Sequence, residues 1–180
     1  MLQQNDCILR AKSGDAQAFR SLVEQHQGQV RATVRSMLGE VAEADDVAQE
    51  VFIRLHQALP GFRGDAKLST YLSRIAINLS LNELKRRKRK GRWLTFTKTD
   101  GPELQVEDKA AGPEQQDLKD ALQRALQQID PEFRAVVTLR LVEGYSVKET
   151  AEILDLPQGT VASRLARAQQ KLRSILGPWL

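Results

Sequence analysis

The side chains grouped for chemistry in this sequence are cations and short polar groups, and the grouping suits binding a polyanion better than breaking bonds. Lys85, Arg86, Arg87, Lys88, Arg89 and Lys90 run without interruption, followed by Arg92, and no acid falls among them. A run of this kind binds phosphates by displacing counterions, so its grip weakens as salt rises. Later, Gln158, Thr160, Ser163, Arg164, Arg167 and Lys171 lie outside the apolar stripe of a stretch, Gln158 to Leu176, that holds no acidic residue. These types reach phosphates and major-groove base edges from a helix. A solvated face ordinarily mixes signs to gain pairs along the helix, so the missing acids favour nucleic acid over the alternative, a bland basic face. Metal and thiol chemistry is poorly served. The single cysteine, Cys7, and the two histidines, His26 and His56, make no zinc-spaced cluster, so neither metal nor cofactor is expected and no residue is a catalytic candidate. Cys7 reads as a small buried hydrophobe near the first helix, with a redox sensor as the alternative.

Those residues need helices to present them, and the periodicity supplies helices throughout. Ser13-Gly14-Asp15 offers starting side chains, after which Phe19, Leu22, Val23, His26, Val30, Val34, Met37 and Leu38 recur at helical steps until Gly39. Ala44, Val47, Ala48, Val51, Phe52, Leu55 and Leu59 form a second stripe, with Asp45, Asp46, Gln49, Glu50 and Arg54 opposite. After a turn at Pro60 to Asp65, Leu68, Leu72, Ile75, Ala76 and Leu79 mark a third helix that ends in the basic run. The pattern lapses from Gly91 to about Glu114, where Gly101-Pro102 and Gly112-Pro113 punctuate a linker. Helical order resumes with Leu118, Leu122, Ala125, Leu126 and Ile129, breaks at Asp130-Pro131, and returns from Phe133 to Leu141 before Gly144.

No β alternation interrupts this, so the class is all-α. A chain of 180 residues with 41% hydrophobic content can give two small domains a core each, placed at 1–90 and 114–180 with a flexible linker at 91–113. The net charge of +4 is modest, so the clusters matter more than the total. The N-terminus has no basic-then-apolar leader and no stretch is long enough to span a bilayer, so a cytoplasmic protein without membrane insertion is expected.

Within the second domain, Ser146-Val147-Lys148-Glu149 has the form of a capping box. The short helix it starts turns at Asp155-Leu156-Pro157, and Pro157 suits the first turn of the next helix. Ala151 is small where the two helices cross, and Val161 fills the gap from the second, whose buried stripe continues through Leu165, Ala168, Leu172, Ile175 and Leu176. This is the helix-turn-helix arrangement.

In the first domain, Asp45-Asp46-Val47-Ala48-Gln49-Glu50-Val51-Phe52, then Phe62-Arg63-Gly64-Asp65, then Ser69-Thr70-Tyr71-Leu72 and Arg74-Ile75-Ala76-Ile77-Asn78, closely resemble region 2 of extracytoplasmic-function sigma factors. The helix-turn-helix resembles their region 4, so the likeness covers nearly the whole chain except the linker. It implies a sigma region 2 helical bundle and a region 4 module. It also implies a non-enzymatic subunit that binds core RNA polymerase and directs initiation at particular promoters, usually under an anti-sigma factor.

By that resemblance, Asp45, Asp46, Gln49, Glu50, Phe52 and Ile53 face the β′ clamp helices, while the β flap is a further polymerase contact. The segment from Gly61 to Asn82 opens the minus-ten element and holds a flipped-out base. An unstacked base needs rings, amides and cations, and Phe62, Arg63, Lys67, Tyr71, Arg74, Asn78 and Asn82 supply them, with Lys85 and Arg86 on duplex phosphates upstream. Gln158, Thr160, Ser163, Arg164, Arg167 and Lys171 would read the minus-thirty-five element. The chain departs from many relatives at Tyr71, where they carry tryptophan, and at Ala162 and Ala166, where they carry larger side chains; the two alanines leave the minus-thirty-five sequence open. Two rivals stand beside this reading. One is an ordinary regulator, since Gly144 to Leu172 also resembles the helix-turn-helix of LuxR-type activators, and the other is a helical protein whose basic run binds RNA without regard to sequence.

Overall fold

The computed structural model describes residues 2–64, 67–97 and 114–177. Its helices are α1 (Leu2–Lys12), α2 (Ala16–Leu38), α3 (Ala42–Ala58), α4 (Leu68–Thr97), α5 (Glu114–Gln127), α6 (Pro131–Val137), α7 (Val147–Leu154) and α8 (Gln158–Leu176). A 3₁₀ turn, Leu59–Gly61, follows α3, and a wide π-turn, Thr138–Val142, follows α6. The described residues contain no strand, so the all-α expectation holds.

Local chemistry explains most boundaries. Asp15 caps α2 by accepting from the amides of Gln17 at 2.9 Å and Ala18 at 3.0 Å, and the Ala18 bond above all holds its carboxyl below the usual carboxylate range. Gly39 ends α2 with φ +84°, a conformation that glycine adopts without strain. The capping box is present: the Glu149 amide donates to the Ser146 hydroxyl at 3.2 Å and the Ser146 amide to the Glu149 carboxylate at 2.8 Å. Pro157 stands one place earlier than the sequence places it, as the N-cap of α8, where its carbonyl accepts from Thr160. Asp155 closes α7 in the left-handed region at φ +53°, which short acidic side chains tolerate.

Three elements differ from the sequence pattern. Helix α1 precedes the first predicted helix; its buried Ala11 and half-buried Cys7 and Ile8 join the main core. Helix α4 continues past the basic run in which the sequence pattern ends it, through Gly91-Arg92-Trp93-Leu94-Thr95-Phe96-Thr97. The expected linker therefore begins with helical residues, and 98–113 lie outside the described residues. The π-turn after α6 sets Leu139 inside while Leu141 and Val142 are exposed.

Helices α1–α4 form one lobe around Leu22, Val30, Val51, Leu55, Leu72 and Ile77, all essentially without solvent contact. Helices α5–α8 form a second, with Ala125, Leu126, Ile129, Val137, Ala168 and Leu172 in one cluster and Val136, Ala151 and Val161 where the helix-turn-helix crosses. The lobes are not separate. Ala135, Leu139 and Ile153 of the second lobe are buried in the core of the first. No helix among the described residues is long and apolar enough to cross a membrane.

Candidate nucleic-acid interface

The predicted site residues fall on three surfaces. On the first, Phe62 leaves the 3₁₀ turn and its ring meets Tyr71 of α4 with centroids 5.3 Å apart, tilted by 53°. Both rings are half-buried and rest against the core, so each has one side for packing and an edge left for a ligand. With Ala58, Gly61, Arg63, Gly64 and Arg74 they line an open cleft of about 450 Å³. Arg63 and Lys67 are exposed, and Asn78 and Asn82 continue one exposed face of α4 from Arg74. Rings and cations thus share the cleft, and the amides of Asn78 and Asn82 lie beyond it along α4, groups suited to stacking and edge reading of a single strand.

Further along α4 the basic run is not uniformly free. Arg86 donates to the Glu83 carboxylate at 2.7 and 2.9 Å and Arg87 does so at 2.9 Å, while Arg87 also lies 3.5 Å from Glu43 of α3. The Glu83 carboxyl is held below its ordinary value, first by its bond from Arg86. Asn82, Lys85, Lys88 and Arg89 instead line an open cleft of about 460 Å³. Sequence reasoning treated Arg86 and Lys85 alike; the acid three and four places before the two arginines was the signal that separates them.

On the second surface, α3 presents Asp45, Asp46, Gln49 and Ile53 exposed, with Glu50 and Phe52 half-buried. Ile53, 51% exposed, is a large apolar side chain left in solvent. Asp45, Gln49 and Phe52 line a groove of about 260 Å³ whose far wall is Val23 of the α2 stripe with Gln27 and Arg31, two residues the sequence pattern does not single out. Glu50 is paired with Arg54 at 2.9 Å along the helix.

The third surface is α8. Gln158, Ser163, Arg167 and Lys171 are exposed and Thr160 is half-buried, clear of the stripe from Val161 to Leu172. Ser163 returns its hydroxyl to the Thr160 carbonyl at 3.0 Å. Arg164 is held against α6 by Glu132 at 2.7 Å, a partner that sequence reasoning missed. Among the described residues no cluster could hold a metal ion.

A polar network that the sequence does not announce joins the lobes. The Gln29 amide of α2 donates to the hydroxyls of Ser73 at 3.0 Å and Tyr145 at 3.1 Å, and those hydroxyls lie 3.1 Å apart. Thr33 donates to the Glu143 carboxylate at 2.7 Å. Arg74 donates to the carbonyls of Glu152 at 2.8 Å and Ile153 at 3.2 Å, at the partly negative C-terminal end of α7. Arg134, 4% exposed, donates to the Met37 carbonyl of α2 and to the Gln127 and Ile129 carbonyls of its own lobe. Burial lowers its pKa to about 10, so it stays charged at neutral pH.

Two family models match the chain, the one described as Sigma-70 region 2 over residues 22–90 and the one described as Sigma-70, region 4 over residues 119–172. The chain is 34% identical over 185 residues to the RNA polymerase sigma-H factor of Pseudomonas aeruginosa, covering 99% of this chain and 96% of that protein. It is 32% identical over 190 residues to the ECF RNA polymerase sigma-E factor of Escherichia coli, covering 98% and 96%. Among solved structures, CnrH in complex with the cytosolic domain of CnrY superposes with a TM-score of 0.70 at 27% identity, covering 96% of each chain. The fold is also that of the sigma factor RpoE, solved with the anti-sigma factor NepR from Bartonella quintana: TM-score 0.70, 21% identity, covering 88% of this chain and 96% of that one.

Proposed function

The chain belongs to the extracytoplasmic-function branch of the sigma-70 family, and on that premise we propose that it is a promoter-specificity subunit of RNA polymerase, restrained by an anti-sigma factor. The groove and exposed face of α3, from Asp45 to Ile53, dock on the β′ clamp helices. The second lobe also meets the β flap. The Phe62, Arg63, Tyr71 and Arg74 cleft with Lys67, Asn78 and Asn82 holds the unpaired minus-ten strand, and Lys85 leads the duplex phosphates toward it. Helix α8 reads the minus-thirty-five duplex. The subunit binds and melts but breaks no bond, so catalysis stays with the polymerase, in the cytoplasm.

One observation carries this reading: a single chain bears both a cleft of rings and cations suited to an unstacked strand and an acid-free helix suited to a duplex groove. Each contact of that kind is worth roughly 1–3 kcal/mol, so neither lobe alone selects a promoter and the tether must combine them. Arg74 bears on regulation. While its guanidinium caps α7 it is engaged away from DNA, so the closed arrangement of the lobes is a resting state that polymerase must open.

The test is transcription from promoter DNA of its own genome by core polymerase with and without the protein. Discrete, protein-dependent starts, with Asn78→Ala altering minus-ten dependence and Arg164→Ala altering minus-thirty-five dependence, are expected. Absence of core binding and of directed starts would sink the reading and leave the LuxR-like regulator.

A further inference from the structure

Helix α1 ends before residue 22, where the match to Sigma-70 region 2 begins, yet its last residue holds the backbone of the loop that lines the candidate minus-ten cleft. Lys12 donates its ammonium to the Phe62 carbonyl at 2.7 Å across 50 residues of sequence, in a half-buried contact. Both ends of that contact are anchored. On the α1 side, Ala11 is buried in the core, the Cys7 thiol donates to the Ala18 carbonyl at 3.2 Å, and the turn into α2 is closed by Arg10 on Asp15 at 2.7 Å. On the loop side, the Phe62 amide donates to the Leu59 carbonyl at 3.1 Å and its ring leans on Tyr71.

The Phe62 carbonyl belongs to the peptide plane whose N–H is that of Arg63. Because the peptide unit is planar, a cation that holds this oxygen also fixes the direction in which the Arg63 backbone starts. Gly64 follows at φ +80°, a conformation that glycine adopts without strain. The loop is a thin wall. One side faces the 450 Å³ cleft of Tyr71 and Arg74, and the other faces a cleft of about 320 Å³ formed with Ile8, Leu9 and Lys12. A wall with space on both sides keeps its shape only through its tethers, and a charge-assisted bond is the strong kind.

We infer that Lys12 is a positioning residue for minus-ten reading, which holds the Phe62–Gly64 loop so that Phe62 and Arg63 present one fixed surface to the unpaired strand. This rests on the proposed minus-ten role of that loop. Lys12 needs no contact with DNA to act in this way, so its loss degrades discrimination between bases more than overall attraction.

The experiment uses holoenzyme assembled with wild type, Lys12→Met, Lys12→Arg and, as a control, Phe62→Ala. Open-complex formation is followed by permanganate reactivity on a promoter and on single-base minus-ten variants, at several salt concentrations, together with core affinity and the thermal midpoint of the free protein. Lys12→Met is expected to reduce discrimination between the best and the substituted minus-ten sequences on the order of tenfold, the scale of one lost charged hydrogen bond. Core affinity and salt slope stay unchanged, Lys12→Arg restores most of the discrimination, and amide exchange quickens in the segment containing Arg63. Unchanged discrimination with Lys12→Met would overturn the inference. So would a uniform loss on every sequence with a shallower salt slope, which would make Lys12 a direct phosphate ligand. If Lys12→Met lowers the thermal midpoint, the amide exchange at Arg63 and the arginine rescue still decide the matter. Discrimination that survives Phe62→Ala as well would instead refute the minus-ten assignment of the loop.

Discussion

Releasing the second lobe from the first without touching either surface proposed to read DNA would test the closed arrangement. The Tyr145→Phe, Thr33→Val double variant does this. The first change removes a hydroxyl bonded to Gln29 and Ser73, and the second removes the donor to Glu143. A neutral hydrogen bond contributes about 0.5–1.5 kcal/mol net and one to a charged group about 1.5–3 kcal/mol. The sites are neighbours and their effects will not add fully, so roughly 2–3 kcal/mol is expected against closure, a shift of about 30- to 150-fold toward the open form. Ser73, 1% exposed, amplifies the effect, because in the closed variant it loses a partner that water can replace only after opening. Energy transfer between dyes at the exposed positions Gln57 and Arg173, with Cys7 replaced by serine, reports the distance between lobes. The variant should move to lower transfer, and the free protein should bind a minus-ten single strand more tightly. Unchanged transfer and unchanged strand binding would refute the view that this network holds the lobes together.

Other consequences are as direct. Ser146→Ala removes the hydroxyl half of the capping box and should cost about 1 kcal/mol, lowering the denaturation midpoint and weakening minus-thirty-five binding with it. Glu83→Gln releases Arg86 and Arg87 from their shared carboxylate, and nonspecific duplex affinity at low salt should rise with a steeper salt slope; equal slopes would show that the pairs already yield to phosphate. Burial pushes the His26 imidazole below its ordinary value, so below about pH 6.5 the unfolded chain takes the proton first and stability falls with pH. Denaturation at pH 7 and at about pH 5.5 should therefore show a loss in the wild type that His26→Gln reduces, since the carboxyls held low by their partners titrate only in more acid solution.

The first-lobe helices show how far periodicity reaches. The stripes of α2 and α3 name most of their buried residues because burial repeats every three or four positions, and Asp15, Gly39, Ser146 and Glu149 mark ends because capping bonds span only a few residues. Helix α1 escaped because much of it is polar, and its packing depends on Cys7, Ile8 and Ala11 meeting α2. The end of α4 escaped because Gly91, Thr95 and Thr97 are weak helix formers that read as the start of a linker.

The same division separates the kinds of site residue. Sequence alone determined the helical class, the acid-free face of α8, the rings and amides between Phe62 and Asn82, and the family likeness, since all of these are properties of residue type and local spacing. Tertiary structure decided which of these groups are free. Glu132 holds Arg164, α7 occupies Arg74 across 79 residues of sequence, Thr33 finds Glu143 across 110, and Lys12 finds Phe62 across 50. Such pairings depend on how helices lie against one another, and that is settled by the shapes of the buried surfaces at Met37, Leu139 and Ile153 rather than by any spacing along the chain.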